Sequence, residues 1–228
     1  RRVKEMEKTK VHNLIIVDAS GSMTSIYRQA LAGVNNTIAT ISDTKRDMPE
    51  QEQFLTLLSF ANGGEDLQYI YNVREIERVK KITANDYQLR GMTALYDAIG
   101  DSVTSLRKVM RRGDRALVTI ITDGYENDSR QWSGTQVHEL VEELKRQDWV
   151  FTYIGANQDV AHEAGKIGIR NTMRFEATHE GTRAMFERER HARMQWNERV
   201  RRNEVEEEGC YFSEVLPSRL TPKRIGHL

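Results

Sequence analysis

An α/β fold, with a doubly wound, mostly parallel central sheet, helices on both faces and a charged C-terminal helical extension, is what the sequence predicts. Short apolar runs alternate with amphipathic stretches, the pattern of strands joined by crossover helices. Several of those runs are continuous rather than alternating, as expected of strands covered on both faces. The length, 228 residues, suits one such domain with a full core plus an appendage and is too short for two equal domains.

The first run, Leu14-Ile15-Ile16-Val17, ends at Asp18. After the turn Ala19-Ser20-Gly21-Ser22, apolar residues recur at Leu31, Val34, Ile38 and Ile41, a helical spacing, and Pro49 closes the segment. Phe54 to Phe60 reads as a second strand, Ala61-Asn62-Gly63-Gly64 as a turn and Leu67 to Val73 as a third strand. So short a linker favours an antiparallel hairpin. Leu95, Ala98, Ile99, Ser102, Leu106 and Val109 mark an amphipathic helix that ends near Gly113. Leu117 to Ile121 is the next buried strand, running to Asp123. Val137, Leu140, Val141 and Leu144 give a further helix, and Val150 to Ile154 a strand stopped by Gly155. A short helix over Asp159 to Ile167 and a strand over Thr172 to Phe175 complete the pattern.

The organisation expected is a charged segment over 1–10, a Rossmann-like domain over 11–177, and a charged helix with a tail over 178–228. From His179 to Glu208, Arg and Glu dominate, with a sparse apolar stripe of Met185, Phe186, Met194, Trp196 and Val200. Such a helix packs back on the domain, pairs with another protein or stays solvated. The residues around Pro217 and Pro222 read as a poorly ordered tail.

Lys plus Arg and Asp plus Glu are both 34, so net charge is zero and no global field attracts nucleic acid or an anionic membrane. No stretch approaches the roughly 18–20 apolar residues of a membrane-spanning helix. The single cysteine, Cys210, precludes an intrachain disulfide and fits a reducing compartment. Arg1 to Lys10 lacks the apolar region of a secretory signal, so a cytoplasmic location is expected, although an opening arginine leaves room for a removed upstream piece.

Two predicted strands end in aspartate, Asp18 and Asp123. In a doubly wound sheet these strands are neighbours across the point where strand order reverses, where ligands bind beyond the carboxyl ends. Adjacent carboxylates repel unless one is protonated or a cation lies between them. The turn after Asp18 adds the hydroxyls of Ser20 and Ser22, two residues apart. An all-oxygen, partly neutral set suits Mg²⁺ or Mn²⁺ better than zinc, and holds too few carboxylates for a tight calcium cage.

Asp18-Ala19-Ser20-Gly21-Ser22 resembles the D-x-S-x-S element of the von Willebrand factor A family, Gly91-Met92-Thr93 its threonine loop, and Thr122-Asp123-Gly124 its T-D-G turn. The resemblance covers about residues 11–177, and Gly155-Ala156-Asn157-Gln158-Asp159 further resembles bacterial stand-alone members. It implies a complete metal-ion-dependent adhesion site. Ser20 and Ser22 would be direct ligands, Thr93 a conformation-dependent one, and Asp18 and Asp123 anchors acting through bound water. The sixth position is left for an acidic side chain from another protein. Met23, Tyr125 and Glu126, and with less weight Asn127 and Arg90, flank the motifs as candidate rim or partner contacts.

The function implied is a non-enzymatic, divalent-metal-dependent protein-binding module. The competing class is a metal-dependent hydrolase or phosphoryl-transfer enzyme using the same site. The sequence has no G-x-x-x-x-G-K-[ST] loop, G-x-S-x-G elbow or H-E-x-x-H pair to support it. Nucleic-acid binding would lean on Arg183 to Arg202, but acidic residues interleave that segment throughout.

Overall fold

A computed structural model of the protein describes residues 8–64, 66–156, 159–175 and 178–213. Pro217 and Pro222, together with Asn157 and Gln158, lie outside the described residues. The chain runs β1 (Thr9–Asp18), α1 (Tyr27–Asp47), β2 (Gln51–Phe60), β3 (Leu67–Glu75), α2 (Leu95–Val109), β4 (Arg115–Thr122), α3 (Gly134–Lys145), β5 (Trp149–Gly155), α4 (Val160–Lys166), β6 (Asn171–Arg174) and α5 (His179–Arg201). The sheet order is β3-β2-β1-β4-β5-β6. Every pairing is parallel except the β2–β3 hairpin. This is the doubly wound α/β architecture that the alternation of runs predicts, with the order reversing between β1 and β4.

Strand periodicity sorts the side chains of β1 between the two faces. Val11, Ile15 and Val17 pack with Ala30, Val34, Ile38 and Ile41 of α1 and with α5. Leu14 and Ile16 pack on the opposite side with α2, α3 and α4. Both faces are therefore dry, which is why the central strands read as unbroken apolar runs.

The charged C-terminal segment is less solvated than its composition suggests. On α5, Met185, Phe186, Ala192, Trp196 and Val200 are all buried in the core that α1 shares. At roughly 1.5–3 kcal/mol per large apolar side chain fully buried, this stripe is ample to hold the helix on the sheet. The chain continues beyond α5 to bury Tyr211 and Phe212 as well. Met194 is only half-buried, and fully buried Arg193 stands beside Ala192 on the inner side.

Arg193 is held by a complete set of partners. Its Nε donates to Glu189 Oε1 at 2.9 Å, Nη1 to Asn13 Oδ1 at 2.8 Å and Nη2 to Thr119 Oγ1 at 2.8 Å. Asn13 Nδ2 donates onward to Gln53 Oε1 at 2.9 Å, and Gln53 Nε2 returns to Asn197 Oδ1 at 2.9 Å. A buried guanidinium is tolerated only with this degree of pairing. The polar layer thus ties β1, β2 and β4 to α5 in one register.

α1 and α5 approach so closely that Gly33 lies against the Phe186 ring; a Cβ there would stand 1.7 Å from Phe186 Cζ. Alanine would gain about 1 kcal/mol in helix propensity, but overpacking costs about 1–3 kcal/mol, and an overlap this deep favours the cost. Gly33→Ala is therefore expected to lower stability by about 1–2 kcal/mol in urea denaturation. An unchanged or raised midpoint would show that α5 does not seat on α1 in this way.

Candidate metal centre

The site forms where β1 and β4 end side by side. Val17 is in register with Ile121, so Asp18 and Asp123 emerge at the same edge of the sheet, one on each side of the order reversal. Asp18 is wholly buried: Oδ1 accepts the backbone N–H of Ser20 at 2.7 Å and Oδ2 the Thr122 hydroxyl at 2.6 Å. Ser20 and Ser22 Oγ lie 3.0 Å apart, and Ser22 Oγ donates to Asp123 Oδ1 at 2.7 Å. Thr93 completes the group from the loop before α2. A Cβ built on Gly124 would be 3.3 Å from Thr93 Oγ1 and 3.4 Å from Ser22 Oγ, so these hydroxyls face a common point. All five residues singled out from the sequence are brought together, from three separate loops.

Burial holds the Asp18 carboxyl well above the usual carboxylate range, at about 6, and the nearby Asp123 charge adds to the effect; hydrogen bonds from Thr122 and Ser20 oppose it. Two carboxylates in one desolvated corner make a site that favours a positive charge. Among the described residues no cluster of three or more His, Cys, Asp or Glu is placed to hold a metal ion. A cation here would rest on hydroxyls as much as on carboxylates, a donor set suited to a hard ion.

The walls of the site come from residues beyond the five candidates. Tyr87, fully buried and stacked on Tyr27, donates its hydroxyl to the Asp18 carbonyl. The Arg90 N–H donates to the Ala19 carbonyl at 2.6 Å, while its guanidinium pairs with Asp66 at 2.9 Å. The Gly21 N–H donates to Gly91 O at 3.1 Å. Asn127 Oδ1 accepts the Thr93 N–H at 2.8 Å, and the Asn127 N–H donates to Thr93 O at 2.9 Å. These are contacts across many tens of residues, and no local pattern announces them. Arg90 and Asn127 stand out in the sequence only as neighbours of the motifs, and Tyr87 not at all.

The flanking residues divide differently from expectation. Met23 is fully buried in the core below the site, in the 3-10 turn Gly21–Ile26. It supports the loop from beneath and offers a partner no surface, which corrects its reading as a contact. Glu126 spends its carboxylate inside the protein, accepting from the Tyr96, Asp128 and Ser129 N–H groups and from the Ser129 hydroxyl. Tyr125 is exposed, as is Met92 beside Thr93, at 54% and 50%.

A family model described as the von Willebrand factor type A domain matches residues 14–188. The chain belongs to the von Willebrand factor type A (VWA) domain family. Membership implies a protein-interaction or adhesion module, and VWA domains are typically non-enzymatic. No curated protein sequence matches this VWA chain. Solved structures similar in fold include proximal thread matrix protein 1 from the mussel byssus, 15% identical over 79% of this chain and 45% of that one, with a TM-score of 0.52. The pilus adhesin SpaC from Lactobacillus rhamnosus GG is 11% identical over 83% of this chain and 30% of its own, with a TM-score of 0.63. The SpRpn10 VWA domain is 11% identical over 76% of this chain and 92% of its own, with a TM-score of 0.54. This VWA chain thus spans less than half the length of the first two. Among its described residues, no helix is long and apolar enough to cross a membrane.

The raised Asp18 value has a definite sign. The folded state holds the Asp18 proton up to about pH 6, whereas the unfolded chain releases it near the ordinary aspartate value of 3.8. Asp18 therefore lowers the stability of the metal-free protein progressively as pH rises through that window, and fully above it. Asp18→Asn is expected to flatten this part of the stability–pH profile and to raise the melting temperature at pH 7 in chelator. A profile that keeps its slope in the variant would place the titration elsewhere.

Proposed function

We propose that this VWA protein is a divalent-metal-dependent protein-binding module, in which Mg²⁺ (or Mn²⁺) is held by Ser20, Ser22 and Thr93, with Asp18 and Asp123 anchoring it from behind. The observation that carries the reading is the Ser20–Ser22–Asp123 hydrogen-bond chain facing Thr93, with Asp18 buried alongside. Hydroxyls that hydrogen-bond to one another and to a carboxylate are already gathered at a single point, and a small hard cation would take the place of the bonds between them, each hydroxyl turning its oxygen to the ion and keeping its proton.

A neutral first set of ligands leaves the ion's charge largely uncancelled, so it attracts a carboxylate from outside the chain. The partner proposed is another protein presenting an acidic side chain. Half-exposed Tyr125 and Met92, on the two loops that carry Asp123 and Thr93, supply an apolar rim beside it. Tyrosine and methionine are among the residue types enriched at protein contacts. The cytoplasmic location expected from the sequence fits the single cysteine, and is proposed on that basis alone.

Titration calorimetry of chelator-treated protein with Mg²⁺ and Mn²⁺ tests the reading. One-to-one binding is expected in the wild type, its loss in Asp123→Ala without loss of fold, and a larger weakening in Ser22→Ala than in Ser25→Ala. Equal effects of the two serine substitutions would remove Ser22 from the ligand set. Because Asp18 takes up a proton at about pH 6, affinity for the ion is expected to fall as pH drops below that value.

A further inference from the structure

The loop that follows Asp123 is laid along the start of α2. Asn127 exchanges two hydrogen bonds with Thr93, at 2.8 Å to its N–H and 2.9 Å from its carbonyl. Glu126 Oε2 accepts the Tyr96 N–H at 2.9 Å, and Ser129 Oγ accepts the Asp97 N–H at 3.0 Å. The first N–H groups of a helix have no partner within it, and here residues 126–129 supply that need from outside. The contact is reciprocal: buried Asp97 accepts the N–H groups of Arg130, Gln131 and Trp132 at 2.8 to 2.9 Å, and that of Gly64 at 3.1 Å. The Asp128 carboxylate adds the Gly63 N–H at 2.7 Å.

We infer that Thr93 is locked in its metal-facing position by Asn127, so that the site is assembled before any ion or partner arrives. Asn127 is a positioning residue: it acts on the ion through the Thr93 backbone. The resemblance to the family implies a threonine whose engagement depends on conformation. In this chain the threonine loop and the Asp123 loop are bonded into one body, and withdrawing Thr93 alone would break both of its bonds to Asn127. The inference rests on the metal-binding reading above and concerns how that site is controlled.

Two substitutions test it. Asn127→Ala removes the acceptor for the Thr93 N–H, while Asn127→Asp keeps an oxygen there; Asn127 is itself exposed, so neither variant is expected to unfold. Mg²⁺ affinity is expected to fall at least threefold in Asn127→Ala and to stay within twofold of wild type, or above it, in Asn127→Asp. Since the added charge of aspartate can itself attract the ion, hydrogen exchange provides the second readout. The Thr93 amide should be equally protected with and without Mg²⁺ in the wild type, protected in Asn127→Asp, and at least tenfold faster in Asn127→Ala. Wild-type affinity in Asn127→Ala, or a tenfold change in wild-type Thr93 exchange on adding Mg²⁺, overturns the lock. If the wild type binds no Mg²⁺ at all, the metal-binding reading fails instead, and the exchange rates of the two variants in chelator still decide whether Asn127 holds Thr93.

Discussion

Parallel pairing of β1 with β4 sets two aspartates at one sheet edge, and most of the surrounding structure answers that constraint. Neither side chain can move away, because Asp18 is buried to its carboxylate and its strand is flanked by neighbours on both sides. The local solution is to surround negative charge with donors. Ser20 N–H and the Thr122 hydroxyl serve Asp18, and the Ser22 hydroxyl serves Asp123. Charge-assisted bonds of this kind are worth more than neutral ones, yet burial still holds the Asp18 carboxyl high. The corner is therefore a place of stored electrostatic cost, and the cation proposed for the site would relieve it at the same carboxylate that lowers the stability of the metal-free fold.

Around that corner the loops are arranged as supports for one another. The Asp18 loop leans on Tyr87, Arg90 and Gly91, and the Thr93 loop leans on Asn127. The start of α2 leans on Glu126 and Ser129. Each support satisfies a backbone group that would otherwise be left without a partner near the protein interior, where an unmade hydrogen bond costs about 1–3 kcal/mol. Precision at the site follows from this accounting without any rigid secondary structure beneath Thr93.

Four of the five candidate residues are legible from local chemistry, Asp18 and Asp123 at the ends of apolar runs and Ser20 and Ser22 in a turn of small polar residues, whereas Thr93 is marked only by the family resemblance. The fold was legible for the same reason, since strands buried on both faces cannot hide their composition. Met23 was misread because it follows two serines and a glycine, and only the 3-10 turn that rotates it inward shows it to be core. Glu126 has the composition of an exposed loop acid, and its actual role depends on where α2 begins in space. Tyr87 and Asn127 act over separations of 69 and 34 residues, beyond the reach of any periodicity. On α5 the dense Arg and Glu masked an inner face in which Glu189, Arg193 and Asn197 are as buried as the apolar residues around them.

That inner face has a consequence for how the chain can change over time. Apolar positions on α5 can drift one at a time, since Met, Leu and Ile replace one another at modest cost. Arg193 cannot, because its three partners come from β1, β4 and its own helix, and its loss would leave the Glu189 carboxylate buried without its cation and Asn13 Oδ1 and Thr119 Oγ1 without that donor. Positions 13, 119, 189 and 193 should therefore mutate as a block, and among homologues they are where correlated substitution is expected to link the C-terminal helix to the sheet.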